Sequence, residues 1–144
     1  MSPTFTIVTP SFNQREFISQ TLDSVLSQSP EAGTEYIVRD NISADGTAEV
    51  LAAYADRLQI VRERDEGQAD AINKGWHTSS GNWLAWLNAD DLYEPGALKA
   101  VADAAAGNPA ARWIIGEFRI IDRASRPIGR LHSGYKNFLL RHYS

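Results

Sequence analysis

The sequence predicts an open α/β layer, a mostly parallel sheet with helices on both faces, followed by a C-terminal antiparallel hairpin. Three observations carry this. Short apolar runs rich in β-branched residues alternate with segments of helical periodicity. The connections between them are short, as parallel crossover units require. From Trp113 onward the alternation gives way to two apolar runs around a turn. At 144 residues the chain is the size of one domain with one core, so a single domain over residues 1–144 is expected.

Phe5-Thr6-Ile7-Val8-Thr9 reads as the first strand and Pro10 closes it. Asn13 stands three residues before Glu16, the pattern of a capping box, which predicts a helix start there. Phe17, Ile18, Leu22, Val25 and Leu26 recur at helical spacing until Ser29-Pro30-Glu31-Ala32-Gly33 stops them. Tyr36-Ile37-Val38 then leads through the polar loop Asp40 to Gly46 into a helix carrying Val50, Leu51 and Tyr54. Leu58 to Val61 is the third strand, and a helix from about Ala69 to His77 ends at Ser79-Ser80-Gly81-Asn82. Trp83 to Leu87 reads as a buried strand delivering Asn88-Ala89-Asp90-Asp91 to a surface edge. Pro95 suits the first turn of a helix running to about Ala106. Trp113 to Ile121 and Ile128 to Leu131 form the hairpin, and Tyr135 to Tyr143 a short helix or ordered tail.

Composition narrows the function classes. Fourteen basic against 18 acidic side chains give a net charge of −4, which offers no footprint for nucleic acid or an anionic membrane. The basic residues Arg126, Arg130, His132, Lys136, Arg141 and His142 read as a solvated amphipathic end. Without cysteine there is neither a disulfide framework nor a thiolate metal site. No leader pattern and no apolar run near ~18 residues is seen, so a cytoplasmic protein, peripheral to the membrane at most, is expected. Trp76, Trp83, Trp86 and Trp113 lie in or beside apolar patterns and are expected in the core. His77 reads as a helix C-terminal cap.

In a parallel sheet every strand ends on the same edge, and ligands bind outside those carboxyl ends. Thr9 to Asn13, Asp40 to Gly46, Asp65 to Gln68 and Asn88 to Asp91 each follow a strand, so four polar loops should meet at one rim. That rim is acidic and would repel bare phosphate. A nucleotide diphosphate arriving with Mg²⁺ or Mn²⁺ would be matched, because the cation bridges phosphate and carboxylate oxygens. The adjacent pair Asp90-Asp91 suits a hard cation. Gly67 permits close approach, and Gln68, Asp70, Asn73 and Lys74 load one helix start with groups able to hold a polar ligand.

Four segments in order, Thr9-Pro10-Ser11-Phe12-Asn13-Gln14, Asp45-Gly46-Thr47, Gly67 to Gly75 and Leu87-Asn88-Ala89-Asp90-Asp91, make the chain resemble the nucleotide-binding half of a family-2 glycosyltransferase. The similarity runs from Phe5 to about Leu131. It implies a Rossmann-like sheet of the GT-A type and transfer of a glycosyl group, from a UDP-sugar before any other, to a saccharide or lipid-linked acceptor hydroxyl. Transfer would be metal-dependent and inverting. The resemblance further implies that Thr9 and Pro10, with Ser11 and Asn13, line the nucleotide pocket, and that Asp40 recognises the base edge. Asp91 would hold the metal, Asp90 the ribose or metal, and Asn88 takes the first position of that motif. Gly67, Gln68, Asp70 and Lys74 match positions nearest base and diphosphate, with Asn73 supporting the loop.

The sequence departs from the family in three places, one of them Asn88, which stands where many relatives carry an acid at the first position of the metal motif. The bulkier Asn41 and Ile42 follow Asp40 where relatives carry small residues. Family catalytic domains also continue into an acceptor-binding region carrying the general base of an inverting enzyme. This chain stops before that region, leaving Glu117 as the candidate substitute. A noncatalytic donor-binding domain is therefore the main alternative, and apolar surface left exposed would favour self-association. A sugar nucleotidyltransferase would need a Gly-rich loop with a basic residue after the first strand, which Pro10 to Gln14 is not.

Overall fold

The computed structural model describes residues 4–28 and 33–131, which fall into two compact units, one extending to Pro109 and one beginning at Ala110. The first unit runs β1 (Phe5–Ser11), α1 (Ile18–Leu26), β2 (Thr34–Asp40), α2 (Thr47–Ala52), β3 (Gln59–Arg62), α3 (Gln68–His77), β4 (Trp83–Trp86) and α4 (Ala97–Gly107). Its four strands form one parallel sheet in the order β3-β2-β1-β4. The second unit contains the antiparallel pair β5 (Phe118–Ile121) and β6 (Pro127–Leu131), with a register irregularity at Ile120/Ile121.

β1 and β2 occupy the middle of the sheet and are covered on both faces, which is why each reads as a near-continuous buried run rather than an alternating one. One face packs Ile7, Tyr36 and Val38 against Ile18, Leu22 and Val25 of α1, Leu51 of α2 and Leu98 of α4. Burying each of these aliphatic side chains contributes roughly 1.5–3 kcal/mol before entropy is subtracted. The other face carries α3, where Gly75 sits directly over Val8. A Cβ at Gly75 would stand 2.7 Å from both Val8 methyl carbons, so only glycine lets this helix approach the strand so closely. Helices on both faces are therefore observed, as the alternation predicts.

Several local expectations are corrected. The first helix begins at Ile18 rather than at Asn13, and its N-cap, Phe17, makes no side-chain cap bond. Asn13 takes a left-handed φ of 54°, and its side-chain oxygen accepts from the Ala44 N–H. A partner 31 residues away thus outcompetes the local cap. β4 is not a buried strand. Among the described residues it is one of the two sheet edges, and it leaves Leu84 and Trp86 exposed. Trp113 is also exposed, at 83%, while Trp76 and Trp83 are half-buried. Trp76 donates to the Ala85 carbonyl at 3.1 Å and meets Trp86 edge-on at 6.0 Å. Strand periodicity cannot distinguish an edge from a centre, because that depends on which strand lies alongside. The first hairpin strand starts at Phe118 and not at Trp113. The tail from Tyr135, including His142, and also His132 lie outside the described residues. Among the described residues no helix is long and apolar enough to cross a membrane.

Candidate functional site

Because all four strands are parallel, their carboxyl ends share one rim. Register aligns Ser11 of β1, Asp40 of β2 and Arg62 of β3 in one row. The chain builds outward from β1 through β2 to β3 and then returns to the other side of β1 for β4. That reversal makes the ends of β1 and β4 the switch point, where a ligand crevice opens in such sheets. The loop after β1 and the segment Asn88 to Asp91 flank it.

The loop after β1 is held by the loop after β2. Three consecutive N–H groups of the first, from Asn13, Gln14 and Arg15, donate to Ser43 Oγ at 2.8 Å, Thr47 Oγ1 at 2.9 Å and Asp45 Oδ2 at 3.1 Å. Thr47 in turn donates to Asp45 Oδ1 at 2.6 Å. This hydroxyl, with the N–H groups of Arg15 and Thr47, holds the Asp45 carboxyl below its usual range. Gly46, at φ 97°, lets the Arg15 side chain lie across the loop; a Cβ there would meet it at 3.0 Å. Asp45-Gly46-Thr47, legible in the sequence as an ordinary turn and cap, is thus the clasp that seats the first loop. The role of Ser43 carried no sequence signal.

Among the donor-site candidates, Thr9 is buried, its hydroxyl 2.9 Å from the Tyr36 hydroxyl. Pro10 is half-buried and Asn13 exposed at the rim. Ser11 is buried and donates to Asp40 Oδ1 at 3.4 Å. Asp40 itself is 0% exposed. Its Oδ1 also accepts from Ser43 Oγ, and its Oδ2 accepts from the Ser43 N–H and from Arg62 Nε, each at 3.0 Å. In this arrangement the acceptor positions of Asp40, the residue expected to recognise the base edge, are filled by protein donors. Beside it, the buried Arg39 is ion-paired with Glu63.

At the start of α3, Gly67 has φ 116° and donates to Asp65 Oδ1 at 2.9 Å. Asp70 accepts from the Glu66 N–H at 3.0 Å and pairs with Lys74 at 2.8 Å; the Lys74 Nζ also reaches the Arg64 carbonyl at 3.2 Å. The Lys74 hydrogen bond holds the Asp70 carboxyl below its usual range, and Asp70 raises Lys74. These two residues brace the loop before the helix. Asn73 is exposed. Gln68 Nε2 donates to Asn88 Oδ1, and Asn88 Nδ2 donates to Asp91 Oδ2 at 2.9 Å. This chain ties the α3 start to the acidic pair across 20 residues of sequence.

Asp90 and Asp91 are both exposed, and among the described residues no protein donor reaches Asp90. Among the described residues no three His, Cys, Asp or Glu side chains converge as a ready-made cage. Two exposed carboxylates at the switch point nevertheless fit Mg²⁺ or Mn²⁺. An ion of this kind takes one or two carboxylates and completes its octahedron from water and substrate phosphate. Glu117 belongs to the second unit, where it pairs with Arg130 at 2.8 Å.

Comparison with known proteins agrees with this layout. Residues 6–142 match the family model described as glycosyl transferase family 2. The chain is 36% identical over 96 residues to a putative teichuronic acid biosynthesis glycosyltransferase, TuaG, of Bacillus subtilis, covering 64% of this chain and 38% of that protein. It is 36% identical over 106 residues to a PGL/p-HBAD biosynthesis glycosyltransferase of Mycobacterium bovis, covering 70% and 41%. Among solved structures it resembles S. aureus TarS 1-349 in complex with UDP-GlcNAc, with a TM-score of 0.66 at 18% identity over 82% of this chain and 40% of that one. It also resembles the mannosyltransferase PcManGT from Pyrobaculum calidifontis in complex with GDP-Man and Mn2+, with a TM-score of 0.64 at 25% identity over 85% and 36%. The chain thus spans about two fifths of the length of these curated relatives. With its sheet order, its rim and its match over residues 6–142, the chain belongs to glycosyl transferase family 2.

Proposed function

We propose that this chain provides the donor-binding part of a metal-dependent, inverting glycosyltransferase. It would take a nucleotide-diphospho-sugar, a UDP-sugar in the first instance, and pass the glycosyl group to a saccharide or lipid-linked acceptor hydroxyl. The observation that carries this is the exposed Asp90-Asp91 pair after β4, beside the β1/β4 switch point, with Asp91 tethered through Asn88 to Gln68. Support comes from PcManGT, solved with GDP-Man and Mn2+, and from the fold shared with TarS.

Asp91, with Asp90 beside it, would hold Mn²⁺ or Mg²⁺, which when bound would supply neutralising charge for the departing diphosphate. Gln68 and Asn88 keep Asp91 oriented, and the clasp of Asp45 and Thr47 keeps the loop after β1 in place beside the crevice. The acceptor hydroxyl attacks the anomeric carbon as a carboxylate removes its proton, and Glu117 is the candidate for that base within the chain. The two units would act as one domain, in the cytoplasm or at the membrane surface. Exposed Leu84 and Trp86 offer a surface for self-association.

Calorimetric titration with UDP, GDP and their sugars, with and without Mn²⁺, tests the reading. Metal-dependent binding is expected, and Asp91→Asn should weaken it at least about tenfold. No metal-dependent binding to any of these ligands, or an unchanged affinity in Asp91→Asn, would overturn it. Donor binding without transfer to any acceptor by the whole protein would instead favour a noncatalytic donor-binding domain.

A further inference from the structure

We propose that Arg62, held by Asp40, reads the base of the donor nucleotide and selects a base with a carbonyl oxygen at pyrimidine C4 or purine C6, uracil or guanine, over one with an amino group at that position, cytosine or adenine. This rests on the donor-site reading above. A carboxylate offers about four acceptor positions. Four protein donors reach Asp40, namely the hydroxyls of Ser11 and Ser43, the Ser43 N–H and Arg62 Nε. With its side chain 0% exposed, Asp40 has nothing left to offer a base N–H. Displacing Arg62 to make room would leave a buried carboxylate without its counter-charge, which is costly.

Arg62 is differently placed. Its side chain is 41% exposed. It spends Nε on Asp40 and Nη2 on the Ser43 carbonyl at 3.3 Å, and among the described residues Nη1 has no acceptor. Two anchoring bonds hold the planar fork in one orientation, so the remaining donors are presented without further ordering cost. Arg62 stands at the end of β3, in register with Asp40, three strands from the end of β4. Three strand spacings amount to about 14 Å. A nucleotide whose diphosphate sits at Asp90 and Asp91 and whose ribose crosses the end of β1 therefore brings its base toward β2 and β3. A fixed cationic donor there accepts a carbonyl oxygen as partner and opposes an amino group, whose protons point at it. Asp40 is accordingly a positioning residue and Arg62 the base-contacting one.

The test is calorimetric titration of the full chain with UDP, GDP, CDP and ADP in Mn²⁺, for the native protein, Arg62→Met and Arg62→Lys. The native protein should prefer UDP or GDP over CDP and ADP by at least about tenfold. In Arg62→Met that ratio should fall toward one, whatever the loss in overall affinity from the missing charge. If Asp40 were the base reader, removing Arg62 would free its carboxylate, and the preference would persist or sharpen; that result overturns the proposal. Equal binding of all four by the native protein overturns it too. Should Arg62→Met fail to fold, Arg62→Lys decides. Its single ammonium cannot hold Asp40 and meet a base together, so the ratio should drop severalfold, and an unchanged ratio refutes the assignment. Binding of none of the four would sink the donor-site reading itself.

Discussion

Thr47→Val puts the clasp between the first two loops to a quantitative test. Thr47 is fully buried, and its hydroxyl does two things at once: it accepts the Gln14 N–H at 2.9 Å and donates to Asp45 at 2.6 Å. Valine matches the shape and keeps the packing, so the change isolates the hydroxyl. The Gln14 N–H, left without a partner in a part-buried position, costs about 1–3 kcal/mol. The bond to the exposed Asp45 is replaced by water. Burying a methyl in place of a hydroxyl returns up to about 1 kcal/mol. The net expectation is a loss of about 2 kcal/mol, or a Tm lower by about 10 °C for a unit of this size. Urea and thermal unfolding measure it, with Thr47→Ser as control. Serine keeps the hydroxyl and loses one methyl group, about 0.8 kcal/mol. If Thr47→Val proves no less stable than Thr47→Ser, the hydroxyl is not what seats the loop and the clasp argument is refuted.

Acid should unlatch the same clasp. The Asp45 and Asp70 carboxyls are depressed in the folded state, so their contribution is present above the unfolded carboxylate range near ~4 and is lost as pH falls through their lower folded values. The stability gap between the native protein and Asp45→Asn should therefore be widest at neutral pH and narrow as pH falls below the ordinary carboxylate range; a gap that does not narrow contradicts the assignment. Asn88→Ala cuts the link from Gln68 to Asp91 without touching the core. Stability should change by less than about 0.5 kcal/mol, while Mn²⁺-dependent nucleotide affinity should fall about tenfold. Unchanged Mn²⁺ dependence would mean that Asp91 needs no tether.

The sequence by itself determined the alternation of strand and helix, the gathering of four polar loops on one sheet edge, and the family, because each rests on local periodicity or on motifs of contiguous residues. It did not show that Asp40 would be buried while Asp90 and Asp91 stay exposed, since each stands at or just beyond the end of an apolar strand run. Tertiary structure separated them. Asp40 ends a central strand, where β1 and β3 flank it and Ser11, Ser43 and Arg62 fill its acceptor positions. Asp90 and Asp91 follow a strand at one sheet edge of the described chain and are exposed. For the same reason the sequence could not place Trp86 at the surface or take Asn13 from its helix cap. Burial and hydrogen-bond partners come from residues tens of positions away, and only the fold brings those together.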